Sequence, residues 1–191
     1  MRPSDHTVDR LTPETFGGSV KGLAALLVDA VDDGASLGFL APFDRESAAA
    51  WWRGQAPAVA DGSLLVWVCR DENGINGTVS LALSGKPNGR HRAEILKLMV
   101  HRTARGRGLS RVLLATAQSA ATAAGVTLLI LDTRTGSPAE HVYRSDGWTP
   151  YGVVPAYATD PDGTLEDCTF FYKQLPAAVP AQPRLTSSVK R

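Results

Sequence analysis

Three features of the sequence predict an α/β fold with a mixed, mostly antiparallel sheet flanked by helices. Three apolar runs separated by turn residues succeed one another between Leu64 and Val100. A glycine-rich turn, Arg105-Gly106-Arg107-Gly108, then leads into a helical pattern. A further apolar run, Val126 to Leu131, follows that helix and so returns parallel to the strand before the turn.

The elements follow in order. Leu23, Leu26, Leu27 and Val31 are spaced for one helix face, and the spacing predicts a helix over Val20 to Val31. An Ala-rich second helix runs from about Phe43 to Arg53 and closes on Trp51-Trp52. Leu64 to Cys69 reads as a strand, Asp71-Glu72-Asn73-Gly74 as a turn, and Thr78 to Leu83 as the returning strand. Lys86-Pro87-Asn88-Gly89 is a second turn, and Ala93 to Val100 completes the meander. Leu109 to Ala124 is a helix with Leu109, Leu113, Ala117 and Ala120 on one face, stopped by Gly125. Val126 to Leu131 is apolar enough for a strand buried on both faces. Ser137-Pro138-Ala139-Glu140 opens the next helix as a capping box, and Gly147 ends it. Cys168 to Tyr172 is a late strand. Residues 1–175 therefore read as one domain, and Pro176 to Arg191, rich in Pro, Ala and Ser, as a disordered tail.

Composition removes several classes of function. With 191 residues the chain can bury a core without staples. It has no apolar run long enough to span a membrane, and a polar N-terminus unlike a secretory signal. The 20 basic residues balance 19 acidic ones, which argues against nucleic-acid binding. Cys69 and Cys168 make neither a disulfide framework nor a metal cluster, and the four histidines show no metal spacing. The expectation is a cytoplasmic enzyme or binding domain without a metal.

The chemistry concentrates at Arg105 to Ser110. A strand running into a helix N-terminus presents free N–H groups and the positive end of the helix dipole, and glycines let a ligand approach the backbone. Arg102, Arg105 and Arg107 add positive charge, so the turn suits phosphate. No Gly-Lys-Ser/Thr follows, so it is not a Walker loop; Arg111 stands where a dinucleotide fingerprint needs its third glycine.

Val100 to Ser110 resembles the acyl-CoA pyrophosphate loop of the GNAT superfamily of N-acetyltransferases. The family pattern Gln/Arg-x-x-Gly-x-Gly/Ala aligns with Arg105, Gly108 and Ser110. Ser110 departs from the usual Gly or Ala, but is small and keeps its N–H. Ala139-x-x-x-Tyr143-x-x-x-Gly147-Trp148 resembles the late helix of the family. The resemblance covers about Leu64 to Leu175. Ala93 to Val100, Leu131-Asp132-Thr133, Tyr157 to Gly163 and the pair Trp51-Trp52 are similar to the tabtoxin-resistance acetyltransferase branch.

The resemblance implies a sheet splayed between its two central parallel strands, with acetyl-CoA lying in the splay. It implies direct transfer of an acetyl group to the amine of a small amino-acid-like molecule, in resistance or self-protection. Gly106, Arg107, Gly108, Leu109 and Ser110, with Arg105, would hold the pyrophosphate, and the backbone of Met99 and Val100 would pair with the pantetheine arm. Tyr143 would protonate the departing thiolate. Glu94 is the candidate base, being a carboxylate inside an otherwise apolar strand, where a charge needs a partner or a task. Asp132, at the end of a strand beside the cofactor crevice, is the alternative base or an ammonium site. Trp51, Trp52 and a loop residue, Tyr157, would line the acceptor pocket. Other readings are an acyl donor on a carrier protein, a non-catalytic acyl-CoA-binding module, and a protein N-terminal acetyltransferase. Monomer and homodimer are both compatible with the sequence.

Overall fold

The computed structural model describes residues 6–177; the tail expected from Pro176 onward lies, from residue 178, outside the described residues. The chain forms β1 (Thr7–Arg10), α1 (Pro13–Asp32), α2 (Arg45–Gly54), α3 (Ala56–Ala60), β2 (Leu64–Asp71), β3 (Gly74–Leu83) and β4 (Arg92–Val100). There follow α4 (Leu109–Ala123), β5 (Leu128–Arg134), α5 (Pro138–Ser145), β6 (Thr149–Thr159) and β7 (Leu165–Gln174). The seven strands make one sheet in the order β1-β2-β3-β4-β5-β7-β6. Every neighbouring pair is antiparallel except β4 and β5, as the crossover through α4 requires.

Strand alternation distributes side chains to two cores. Leu65, Trp67 and Cys69 of β2 face α4 and α5 with Val79, Leu81, Leu113 and Leu129. Leu64, Val66 and Val68 face α1 to α3 with Phe16, Leu23, Leu27 and Trp52. A strand covered by helices on both faces is apolar along its covered length, as β2 is from Leu64 to Cys69 before it ends in Arg70 and Asp71.

The helices differ from expectation chiefly at their starts. α1 begins at Pro13, seven residues before the expected Val20, with Thr12 and Thr15 bonding reciprocally as a capping box. Gly17 and Gly18 weaken the local signal there, but Phe16 extends the apolar stripe and is buried. At α5 the Ser137 hydroxyl caps the Glu140 N–H as expected. The box is altered, however: Glu140 accepts from the Gly136 N–H at 2.5 Å, and the Ser137 N–H donates to the Arg134 carbonyl. Glu140 also pairs with Arg144 one turn on, which holds its carboxyl below the usual range together with the Gly136 bond.

Two strands are additions to the sequence reading. β1 is only four residues long. β6 contains Pro150, Gly152 and Pro155, which argue against a strand unless it lies at an edge, where a missing N–H costs no ladder bond. It is the edge strand. β5 is also less buried than expected: Leu129 and Leu131 enter the core, while Leu128 and Ile130 are half-buried and Asp132 reaches solvent.

Candidate active site

The site forms where the sheet opens. β4 and β5 pair only from Arg92–Leu128 to Glu94–Ile130, and the strands part beyond that. The β5-facing edge of β4 from Ile95 to Val100, including Met99 and Val100, has no strand partner among the described residues. On its other edge, Met99 pairs with Thr78 and Val100 with Gly77. The Met99 side chain is buried toward α1, and that of Val100 packs partly toward α4.

The glycine-rich turn lies at the wide end of this opening. Gly106 and Gly108 have φ of 75° and 77°, a left-handed conformation that only glycine adopts without strain. Gly108 is the N-cap of α4 and supplies no side-chain cap. The N–H groups of Gly106, Arg107, Gly108, Leu109 and Ser110 donate to no described residue. They form a nest of donors at a helix N-terminus, suited to a phosphate group.

The arginines divide their work. Arg102 donates its backbone N–H and its Nε (2.6 Å) to the Asp29 carboxylate, and its Nη2 to the Asp29 carbonyl. Arg105 donates to Asp33 (2.5 Å) and to the Val100 carbonyl (3.2 Å). Both thus tie the turn to α1, and the charge expected of them for phosphate is balanced by two aspartates. Arg107 donates only to the Thr103 carbonyl and forms no salt bridge with a described carboxylate, its charge reaching Asp71 only at longer range.

Glu94 and Asp132 come together at the narrow end of the opening. Glu94 stands opposite Ile130, and Asp132 is two residues further along the same face of β5. Neither forms a salt bridge with a described residue. Burial pushes the Glu94 carboxyl above its usual range and the neighbouring Asp132 adds to this, while Lys97 pulls it back. Asp132 is raised by the protein crowding it, again opposed by Lys97, although its carboxylate remains reachable by solvent. Asp132 lies within β5, which continues to Arg134, rather than at the strand end expected from the sequence.

Lys97 is the residue the sequence reading did not place in this site. An extra residue in β4, between the pairs Leu96–Ser80 and Met99–Thr78, breaks the alternation, and Lys97 sits there with φ 52°. Unbroken alternation would put Lys97 on the core face of Ala93 and Ile95, under α4. The bulge turns it to the Glu94 face. There its ammonium donates to the Leu37 carbonyl at 2.8 Å and lies 5.4 Å and 5.2 Å from the Phe39 and Trp51 ring centres.

The connection between α1 and α2 covers this end of the opening. Leu37 and Phe39 meet Lys97 on β4, and the Ala41 N–H donates to the Pro161 carbonyl (2.8 Å) in the β6–β7 turn. Because β5 and β7 separate β4 from β6 in the sheet, the segment passes over the β5 side of the cleft. Trp51 stacks edge-on against Phe39 and is half-buried along it. Trp52 is fully buried against Phe16 and offers no surface to a ligand, which corrects its expected place in the pocket wall. Successive helix residues point about 100° apart, so only one indole of the pair can face the cleft.

Tyr143 enters from α5. Its ring packs on Trp148 and Phe171, and its hydroxyl makes no hydrogen bond with a described residue. Burial, and then the charge of Asp132, push the phenol far above its usual range, so it stays protonated. Tyr157 lies on β6 rather than in a loop, is half-exposed, and meets Phe170 edge-on at 5.0 Å. Phe170 is the direct partner of Asp132, so Tyr157 is one ring away from the carboxylate on the same sheet face. Cys69 and Cys168 are buried, and burial raises both thiols, Cys168 to about 11. Neither suits a nucleophile. Among the described residues no group of three or more His, Cys, Asp or Glu could hold a metal ion, and no helix is long and apolar enough to cross a membrane.

Comparison with known proteins agrees with this geometry. The sequence profile of the acetyltransferase (GNAT) domain matches residues 62–150, which include the glycine-rich turn, Glu94, Lys97, Asp132 and Tyr143. Among solved structures, a ribosomal-protein-alanine N-acetyltransferase from Brucella melitensis is 25% identical, with a TM-score of 0.71 over 88% of this chain and 99% of that one. A putative acetyltransferase from Salmonella typhimurium, solved with its cofactor acetyl-CoA, is 20% identical, with a TM-score of 0.70 over 93% of this chain and 99% of that one. A phosphinothricin acetyltransferase from Sinorhizobium meliloti, in complex with acetyl-CoA, is 18% identical, with a TM-score of 0.73 over 95% of this chain and 94% of that one. Residues 62–150 match an acetyltransferase (GNAT) domain, and the sheet order and the nest at the start of α4 support an N-acetyltransferase.

Proposed function

We propose that the protein transfers the acetyl group of acetyl-CoA directly to the amine of a small amino-acid-like molecule. The observation that carries this reading is the paired carboxylates, Glu94 and Asp132, at the end of the β4–β5 opening away from the phosphate nest. They create an anionic pocket that attracts an ammonium group and can then take its proton. The pyrophosphate sits on the N–H groups of Gly106 to Ser110 with Arg107 beside it, Arg105 holding the turn. The pantetheine arm pairs with the free edge at Met99 and Val100. The amine, deprotonated by Glu94 or Asp132, attacks the thioester carbonyl. The tetrahedral intermediate collapses, breaking the carbon–sulfur bond, and Tyr143 gives its proton to the departing sulfur. The products are the amide and CoA.

The Brucella neighbour acetylates, by its name, a ribosomal protein, so a polypeptide acceptor is the competing reading. The α1–α2 segment favours the small acceptor. Its contacts from Lys97 to Pro161 lay a segment across this end of the opening, an arrangement that suits a short acceptor better than an extended peptide. Two neighbours named as phosphinothricin acetyltransferases also favour a small acceptor. Acetylation removes the positive charge of an amine, which suits a resistance or self-protection role.

The test is thiol release from acetyl-CoA against amino acids, amino-acid-like toxins, aminoglycosides, polyamines and peptides beginning with alanine. Turnover with a small amine supports the reading. Turnover with the peptides alone would replace it, and CoA binding without turnover on any amine would point to a carrier-protein donor or a binding module.

Two further results are expected. Gly108→Val should raise the KM for acetyl-CoA about tenfold or more, because a β-branched residue at this φ is strained by about 1–2 kcal/mol and its Cβ intrudes on the nest. Its KM for the amine should change little; equal effects on both would argue against the nest. Glu94→Gln and Asp132→Asn should have opposite effects on activity and stability. Both carboxyls titrate above their unfolded values, so the folded state binds more protons than the unfolded one as pH rises past about 4. Native stability is therefore lost as pH rises from the unfolded to the folded pKa. Removing either charge should raise the unfolding temperature at pH 7 but not at pH 3, while lowering turnover at both neutral and alkaline pH. Thermal scans at the two pH values check this.

A further inference from the structure

We propose that Lys97 is a positioning residue for acetyl transfer, its ammonium pinning the α1–α2 segment over the cleft on one side and balancing the Glu94–Asp132 pair on the other. The inference rests on the reading of this cleft as the acceptor site.

Three independent observations converge on this side chain. The first is the backbone. A lysine at φ 52° in a strand is uncommon, and the bulge that produces it also moves the residue from the core face to the Glu94 face. The second is its outer contacts. The Leu37 carbonyl and the Phe39 and Trp51 rings leave the ammonium enclosed by the segment that crosses the cleft. The third is charge. Among the described residues, Lys97 is the cation that acts on Glu94 and Asp132 to favour the ionised form.

The charged and titratable groups around it are few. Glu94 lies on its own strand and Asp132 on β5; Tyr143 and Cys168 feel Asp132 in turn from α5 and β7. The α1–α2 segment and α2 contribute a carbonyl and two rings there. Burial alone would drive Lys97 toward its neutral form, and the two carboxylates oppose that. One lysine against two carboxylates leaves the pocket with one negative charge in excess, which an entering ammonium neutralises. Lys97 thus keeps the pair ionised enough to accept a proton without filling the place of the substrate.

The experiment compares wild type with Lys97→Met, which keeps an unbranched chain against the two rings but removes the charge and the bond to Leu37. Carbon-13 NMR titration of the Glu94 and Asp132 carboxyl groups is read first, because it does not depend on turnover. Both midpoints should move to higher pH in Lys97→Met and return toward wild type in Lys97→Arg. The acidic limb of kcat/KM should move the same way. The KM for the amine should rise about tenfold, as expected for loss of one charged hydrogen bond, with the KM for acetyl-CoA unchanged. Unmoved titrations in a folded Lys97→Met protein would overturn the balancing role. An unmoved amine KM would overturn the pinning role. If wild type acetylates no amine in the panel, the acceptor reading fails while the titrations still decide whether Lys97 governs the pair. Should Lys97→Met not fold, Lys97→Gln, which can still donate to Leu37, reports the charge effect alone.

Discussion

Tyr143→Phe is expected to lower acetyl transfer by roughly 10²-fold or more, the usual contribution of a positioned proton donor. The same change should leave the fold almost untouched. The ring, which packs on Trp148 and Phe171, is retained. The hydroxyl it removes has no hydrogen-bond partner among the described residues, so no buried group there is left unsatisfied, and stability should change by less than about 1 kcal/mol. The direction of the phenol's shift makes the role specific. Burial and the nearby Asp132 both hold the proton on, so Tyr143 can donate at any pH in the working range and cannot serve as a base. The alkaline limb of the pH profile should therefore not report its titration. Kinetics with acetyl-CoA and a saturating amine, alongside thermal unfolding, separate the outcomes. A loss of turnover that tracks a loss of stability would make Tyr143 a packing residue. Undiminished turnover would leave thiolate departure to solvent.

The largest stability effect is expected from Trp52→Ala. Trp52 is fully buried, contacts Phe16 and Trp51, and joins α2 to the α1 side of the sheet. Truncating a buried Trp costs about 3–5 kcal/mol, a large fraction of the stability of a domain this size. Its indole N–H has no partner among the described residues, so Trp52→Phe recovers much of the packing with no lost hydrogen bond and should be far milder. Trp51→Ala provides the contrast. Trp51 is half-buried against Phe39 and the Lys97 ammonium, so its loss should affect the KM for the amine more than the unfolding free energy. Denaturant titration of the three variants tests the division. If Trp51→Ala proved the more destabilising, the assignment of the two indoles would be reversed.

The local pattern of residues was sufficient for the central part of the fold. The meander from Leu64 to Val100, the helix from Leu109 and the return at Leu128 follow from alternation, turn residues and helical spacing, all interactions between near neighbours. The glycine-rich turn was legible for the same reason. Gly106 and Gly108 are needed because the backbone there is left-handed, and that need is written in the residue type itself. Glu94 was conspicuous because a carboxylate in an apolar strand calls for an explanation.

What sequence left undecided depends on contacts between distant segments. β6 forms despite Pro150 and Pro155 because it pairs on one edge only, and its place at the edge is a property of the whole sheet. Arg102 and Arg105 face α1 carboxylates more than seventy positions earlier in the chain, so their charge could not be assigned to a ligand or to the protein from local pattern. The choice between Trp51 and Trp52 turned on the rotation of α2 against α1. The place of Lys97 could not be read from local pattern. A period of two assigns it to the core face, and only the bulge, set by the register of β4 on β3, turns it toward Glu94. Residue type and spacing thus marked the glycine-rich turn as suited to phosphate, and the resemblance of its motif supplied the family of chemistry. The cluster where β4, β5 and the α1–α2 segment meet was decided by tertiary structure, because its charges interact across strands that part where no local rule applies.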